Sequence, residues 1–136
     1  MDRPVFIVAD ALVARYLAAD PRHRSARARW SQLSATRPPL VTTPAMLDAA
    51  ATNLARSADP TFAAERLRRW LLAESLQVIE PTADDRLAAA DWLGRWRGGD
   101  ADLADCTAWT VMTRLRLNDA FTWREAYRWA GFTLLA

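Results

Sequence analysis

Five short runs with the character of buried strands recur along this chain, and helical segments separate each run from the next. The runs cover residues 5–8, 40–43, 76–79, 119–122 and 132–135. Val5–Val8 is the clearest of them, because a strand buried on both faces is a short and continuous apolar run. Strands that alternate with helices form a parallel sheet, since each connection crosses over one face. The pattern predicts an α/β domain of three layers, α/β/α, with a central parallel sheet of about five strands.

Prolines and aspartates mark where the intervening helices begin. Asp20-Pro21 and Asp59-Pro60 each place a capping residue before a proline of the first helical turn. Asp10 and Asp102 are further candidate capping residues, and the glycine pair Gly98-Gly99 is expected to terminate the helix before it. Helices are predicted over residues 11–17, 21–34, 44–56, from 60 onwards, 82–96 and 102–115.

Length and composition limit the chain to one globular domain, residues 1–136. Its 136 residues are 51% hydrophobic, which is enough for one core and too few for two. A single cysteine, Cys106, excludes an internal disulfide and fits a reducing cytoplasm. No apolar run approaches the roughly 20 residues of a membrane helix, and the start of the sequence lacks a signal-peptide layout. We therefore expect a cytoplasmic protein without a membrane partner.

Charge and motifs exclude several functions. The net charge is only +2, so no large positive field draws nucleic acid to the whole molecule, although all 18 basic residues are arginine. His23 is the single histidine, which excludes a histidine-rich metal site.

In a parallel sheet, ligands bind beyond the carboxyl ends of the strands. The residues to examine are therefore Asp10, Asp105 and the segment 123–125.

Four segments near these strand ends resemble the acidic motifs of PIN domains, the fold of VapC-type toxin ribonucleases. They are Phe6–Leu12, Thr43–Ala49, Leu103–Cys106 and Phe121–Arg124. The resemblance spans nearly the whole chain and implies a single PIN-like domain. It also implies an endoribonuclease in which carboxylates hold Mg²⁺ or Mn²⁺ and the metal stabilises charge on an RNA phosphodiester.

One of the four expected carboxylates is in register. Asp105 matches the third acidic position, whereas Val8, Ala49 and Arg124 stand where the resemblance places the other three. An arginine next to a metal site opposes cation binding by electrostatic repulsion. The sequence therefore predicts a nuclease site that is weak or inactive.

Displaced acids are the candidates to restore such a site. Asp10 lies two residues beyond Val8, and Glu125 follows Arg124, whereas Asp48 is expected to point away from the metal that Ala49 should face. We predict Asp105 and Asp10 as catalytic residues, with Asp105, Asp10 and Glu125 as metal ligands. Capping is the competing role for Asp10, and a capping box with Asp102 is the competing role for Asp105.

The alternative function is a PIN-like module without catalysis and without a cofactor. Arg124 and Arg128, with Trp123 as a stacking surface, are the predicted nucleic-acid-binding residues. Arg114 and Arg116 are expected on the flank of the same crevice.

The resemblance also implies protein partners. These are an antitoxin-like protein and a second copy of the chain, with the helices of Trp30 and Trp70 as candidate dimer surfaces. An antitoxin would insert an arginine into an acidic crevice, and we expect Arg124 to take that role within this chain by neutralising Asp105.

Overall fold

Strands and helices alternate along the part of the chain that a computed structural model describes, residues 3–96 and 99–136. In chain order the elements are β1 (Val5–Ile7), α1 (Ala9–Tyr16), α2 (His23–Thr36), β2 (Leu40–Thr42), α3 (Pro44–Ser57), α4 (Pro60–Leu72), β3 (Leu76–Val78), α5 (Ala83–Arg95), α6 (Leu103–Arg114), β4 (Asp119–Phe121), α7 (Glu125–Trp129) and β5 (Thr133–Leu134).

The strands form one sheet in the order β3-β2-β1-β4-β5, and every neighbouring pair is parallel. The predicted three-layer α/β/α architecture with five parallel strands is confirmed. The chain leaves β1 towards β2 and later returns to place β4 on the other side of β1. This reversal opens a crevice between the carboxyl ends of β1 and β4.

Each face of the sheet has its own core. Ile7 and Phe121 point to the layer of α1–α4, where the indole of Trp30 packs on the Phe121 ring at 5.3 Å. Phe6 points to the opposite layer, where Trp109 and Tyr127 pack edge to face at 5.7 Å. Neighbouring residues of a strand point to opposite faces, so a continuous apolar strand fills both cores.

Several helix boundaries differ from those expected. Asp59 caps α4 as predicted, since its carboxylate accepts a hydrogen bond from the Phe62 N–H at 2.8 Å. Asp10 does not cap α1, because that helix begins after Val8 and Asp10 lies inside its first turn. Asp20 accepts from the N–H of Arg22 at 2.8 Å, and α2 begins only after this turn.

Other differences lie in the last third of the chain. The short helix α7 was not predicted, and the run at 132–135 forms a strand only at Thr133–Leu134. Helix α5 ends at Arg95, and Gly98 of the predicted glycine stop lies outside the described residues. Within the described residues, no helix is both long enough and apolar enough to cross a membrane.

A two-point ion pair joins α5 to α6. Arg114 donates from Nη2 to Asp85 Oδ2 at 2.8 Å and from Nε to Asp85 Oδ1 at 3.0 Å. Asp85 also completes a capping box with Thr82. Arg114 lies nine residues beyond Asp105 on α6, which is about 14 Å along the helix axis. The expectation that Arg114 flanks the crevice is therefore wrong, because it pairs with Asp85 at the other end of α6.

Replacing Arg114 by methionine should lower the free energy of unfolding at pH 7. The change leaves the buried Asp85 carboxylate without its cation, although the half-exposed guanidinium limits the loss. Urea denaturation measures it, and Arg86→Met on exposed α5 surface is the matched control. Equal stability of the two variants would show that the ion pair does not hold the helices together.

Candidate functional site

Four elements converge on the crevice at the carboxyl ends of β1 and β4. Asp10 comes from the first turn of α1, and Asp105 comes from the first turn of α6. Thr122 and Arg124 follow β4, and Tyr127 comes from α7. Because residues just past parallel strands share one edge of the sheet, side chains distant in sequence meet here.

Asp105 is almost completely buried, with 2% of its surface exposed, and both of its carboxylate oxygens are occupied. Arg124 Nη1 donates to Oδ2 at 2.7 Å, and the Tyr127 hydroxyl donates to Oδ1 at 2.6 Å. The N–H of Asp102 also donates to Oδ2 at 3.0 Å, and Asp102 accepts the N–H of Asp105 in return. The predicted capping box is thus confirmed, and the same carboxylate also holds an ion pair.

Burial raises the pKa of Asp105 from 3.8 to about 6, although the Arg124 guanidinium and the Tyr127 hydroxyl both lower it. Burial also raises the pKa of Tyr127 well above its ordinary value, and the Asp105 carboxylate adds to this rise. Tyr127 is therefore a hydrogen-bond donor at all physiological pH values.

Arg124 is the cation of the site. Burial lowers its pKa, but the carboxylates of Asp105 and Asp10 raise it and give a net increase, so the guanidinium is charged. Its side chain is 31% exposed, so it is partly accessible to solvent. Arg124 therefore sits between the two acidic residues that the sequence predicted as catalytic.

Asp100 holds Arg124 in place and was not predicted. Its carbonyl oxygen accepts a hydrogen bond from Arg124 Nη1, and its carboxylate accepts the N–H groups of Glu125 at 3.2 Å and Ala126 at 3.3 Å. These contacts tie the loop before α6 to the start of α7. A lone aspartate in a loop carries no periodic signal, and α7 itself was not expected.

Asp10 accepts hydrogen bonds from the segment just after β4 instead of capping a helix. Its Oδ2 accepts from the Thr122 hydroxyl at 2.8 Å and from the Trp123 N–H at 3.0 Å. Burial raises the pKa of Asp10, whereas these two hydrogen bonds lower it. Its Oδ1 is buried and has no hydrogen-bond partner among the described residues, as is true of the hydroxyl oxygen of Thr43.

The remaining predicted site residues lie at the rim or outside the crevice. Glu125 is 69% exposed and pairs with Arg128 at 2.6 Å on the surface of α7. Trp123 contributes its backbone N–H to Asp10, while its ring packs on Phe121 at 5.6 Å. The structure thus brings together Asp10, Asp105 and Arg124 and leaves Glu125 and Arg128 on the surface.

Val8 and Ala49 are two of the residues that the sequence resemblance aligned with acidic positions. Val8 is buried in the core behind the crevice, and Ala49 is exposed on α3 beside Asp48. Among the described residues, no group of three or more His, Cys, Asp or Glu side chains is arranged to hold a metal. Asp10 Oδ1 has an open lone pair, but a guanidinium occupies the Asp105 carboxylate. These residues do not fit a divalent metal ion.

Comparison with known proteins identifies solved structures that share this fold. No protein-family model and no curated protein sequence matches the chain. Among solved structures, the Mycobacterium tuberculosis toxin VapC20, which cleaves the sarcin-ricin loop, superposes with a TM-score of 0.83 at 27% sequence identity; 95% of this chain and 96% of that chain are covered. VapBC2 of Rickettsia felis, bound to a DNA fragment from its promoter, gives a TM-score of 0.65 at 12% identity, with 96% of both chains covered.

The three-layer fold and its crevice between β1 and β4 define a PIN domain. The chain has the VapC-type form of that fold, as the resemblance of its sequence motifs implied.

The pH dependence of stability should report the buried carboxyl of Asp105. With its pKa at about 6, the folded protein binds this proton more tightly than the unfolded chain, whose carboxyl titrates near 3.8. The contribution to the free energy of unfolding is largest below pH 4. It falls as the pH rises to about 6, by on the order of 3 kcal/mol.

Asp105→Asn removes the ionisable carboxyl, so comparison of this variant with the wild type isolates the contribution of Asp105 to the pH dependence. The free energy of unfolding of the wild type minus that of the variant should decrease between pH 4 and pH 7, as measured by urea denaturation. A difference that is constant with pH would mean that Asp105 titrates normally.

Proposed function

We propose that this chain is a VapC-type PIN domain that does not cleave RNA by a metal-dependent mechanism and acts instead as a binding module. The ion pair between Arg124 and the buried Asp105, at 2.7 Å, carries this proposal. It occupies the one carboxylate that is in register with the acidic motifs of the family. The proposed module needs neither Mg²⁺ nor Mn²⁺.

Electrostatics supports the proposal. A guanidinium about 6 Å from a divalent cation raises the energy of the bound ion by roughly 5 kcal/mol at an effective dielectric constant near 20. Movement of Arg124 away from Asp105 would leave a buried carboxylate unpaired, which costs a few kcal/mol in itself. The loop of Asp100 further restrains the arginine through its carbonyl oxygen. A divalent cation would therefore have to displace an arginine that is held by both the Asp105 carboxylate and the Asp100 carbonyl oxygen.

An antitoxin-like protein is the partner we propose for the module. The Rickettsia felis neighbour is a VapBC assembly, in which a VapC chain is present with VapB. Arg124 already places a cation on Asp105, so the partner of this chain has no need to insert one there. RNA is the second candidate ligand, because Arg15, Arg27 and Arg66 on α1, α2 and α4 form no ion pair among the described residues.

A homodimer remains part of the proposal. The indoles of Trp30 and Trp70 are buried within their own chain and do not supply the dimer contact. Leu71 and Leu72 at the end of α4 are 57% and 82% exposed, and they offer apolar surface on one of the two helices that the sequence indicated.

Calorimetric titration of Mn²⁺ into metal-free protein tests the proposal. The wild type should show no binding at millimolar Mn²⁺. Arg124→Asp replaces the cation with a carboxylate beside Asp105 and Asp10, and it should produce measurable binding that raises the melting temperature. Arg128→Met removes an exposed arginine outside the crevice and is the matched control.

Either of two results would overturn the proposal. One is Mn²⁺ binding by the wild type that is lost in Asp105→Asn. The other is an Arg124→Asp variant whose melting temperature and Mn²⁺ affinity are those of the wild type.

A further inference from the structure

Three adjoining pockets form one groove on the side of the molecule away from the crevice. All three are lined by Arg15 and Trp30. The groove lies between α1, α2 and α4 and reaches residues 37–40 and 74–76, which precede β2 and β3. It therefore lies at the amino ends of the strands, opposite the crevice. We name it the arginine groove, after the five arginines of its lining: Arg15, Arg27, Arg37, Arg66 and Arg69.

The charge of the arginine groove is not neutralised within the part of the chain that the structure describes. Arg69 pairs with Glu65 on the exposed surface of α4, whereas the other four arginines form no ion pair there. Helix α2 carries arginines and no acidic residue. One carboxylate, Glu74, is found among the residues that line the groove. A protein of net charge +2 thus concentrates positive charge on one face.

Two of these guanidinium groups lie over the same aromatic ring, that of Tyr16. The Cζ atoms of Arg15 and Arg66 lie 5.2 Å and 4.3 Å from the centroid of Tyr16, so they are within about 10 Å of each other. Arg15 also lies over the Trp30 ring at 4.5 Å, and the buried Nε of Arg66 has no hydrogen-bond partner in the part of the chain that the structure describes. The two cations repel each other, and an anion between them would offset that repulsion.

We propose that the arginine groove binds the phosphate backbone of single-stranded RNA. Guanidinium groups contact phosphate oxygens through paired, charge-assisted hydrogen bonds. Arg15 and Arg66 both lie beside Tyr16, and Arg27 and Arg37 extend the positive surface to further phosphates. Guanidinium planes stacked on Tyr16 and Trp30 offer flat faces to the bases of a single strand. This site is independent of whether the crevice binds metal.

The test measures the affinity of a fluorescein-labelled single-stranded RNA of about 20 nucleotides by anisotropy, over a range of salt concentrations. Arg27→Glu/Arg37→Glu changes two exposed groove residues, and Arg86→Glu on α5 is the control for a charge reversal outside the groove. We expect the groove variant to bind about tenfold more weakly at 100 mM salt, with the slope of log affinity against log salt reduced by about 1.4. The Arg86→Glu control should bind as the wild type does.

Three results would overturn this inference. One is unchanged RNA affinity in the groove variant, and another is an equal loss in the Arg86→Glu control. The third is a polyglutamate peptide that displaces the RNA at the same concentration as unlabelled RNA, because the groove would then recognise acidic protein. Loss of RNA binding in Arg124→Met alone would place RNA in the crevice, so failure here is distinguishable from failure of the metal proposal.

Discussion

The burial of one carboxylate beneath one guanidinium organises the crevice of this protein. Asp105 is 2% exposed, and a carboxylate so deeply buried is stable only when it is paired and hydrogen-bonded. Arg124 provides the charge, and Tyr127 and the backbone of Asp102 provide the remaining hydrogen bonds. Because three separate elements supply these groups, the ion pair also fixes how α6, α7 and the segment after β4 meet.

The parallel sheet explains why these groups meet at all. The reversal of strand order between β1 and β4 brings Asp10 beside Thr122, although 112 residues separate them. Tyr127 belongs to both the apolar core and the ion-pair network, because its ring packs on Trp109 and its hydroxyl reaches Asp105. A change in the core on this side of the sheet is therefore transmitted directly to the crevice.

Local chemistry made much of the fold predictable. Val5–Ile7 is buried on both faces, Asp59-Pro60 opens a helix, and Asp102 with Asp105 forms a capping box, all as their sequences indicate. Asp10 was harder to interpret, because an aspartate before a helix usually caps it, and only the position of β4 shows that its partners are Thr122 and Trp123. The roles of Asp100 and Tyr127 depend on the position of α7, a helix too short to have a recognisable period. Contacts of this kind depend on tertiary structure, which no local pattern encodes.

A double-mutant cycle between Arg124 and Asp105 measures the central interaction most directly. The free energies of unfolding of the wild type, Arg124→Met, Asp105→Asn and the double variant are compared at pH 7.5 by urea denaturation. If Arg124 neutralises a buried carboxylate, the coupling energy is about 2–3 kcal/mol and the double variant is more stable than Arg124→Met alone. A coupling energy below about 0.5 kcal/mol would contradict the account, because the arginine would then not be the counter-ion of Asp105.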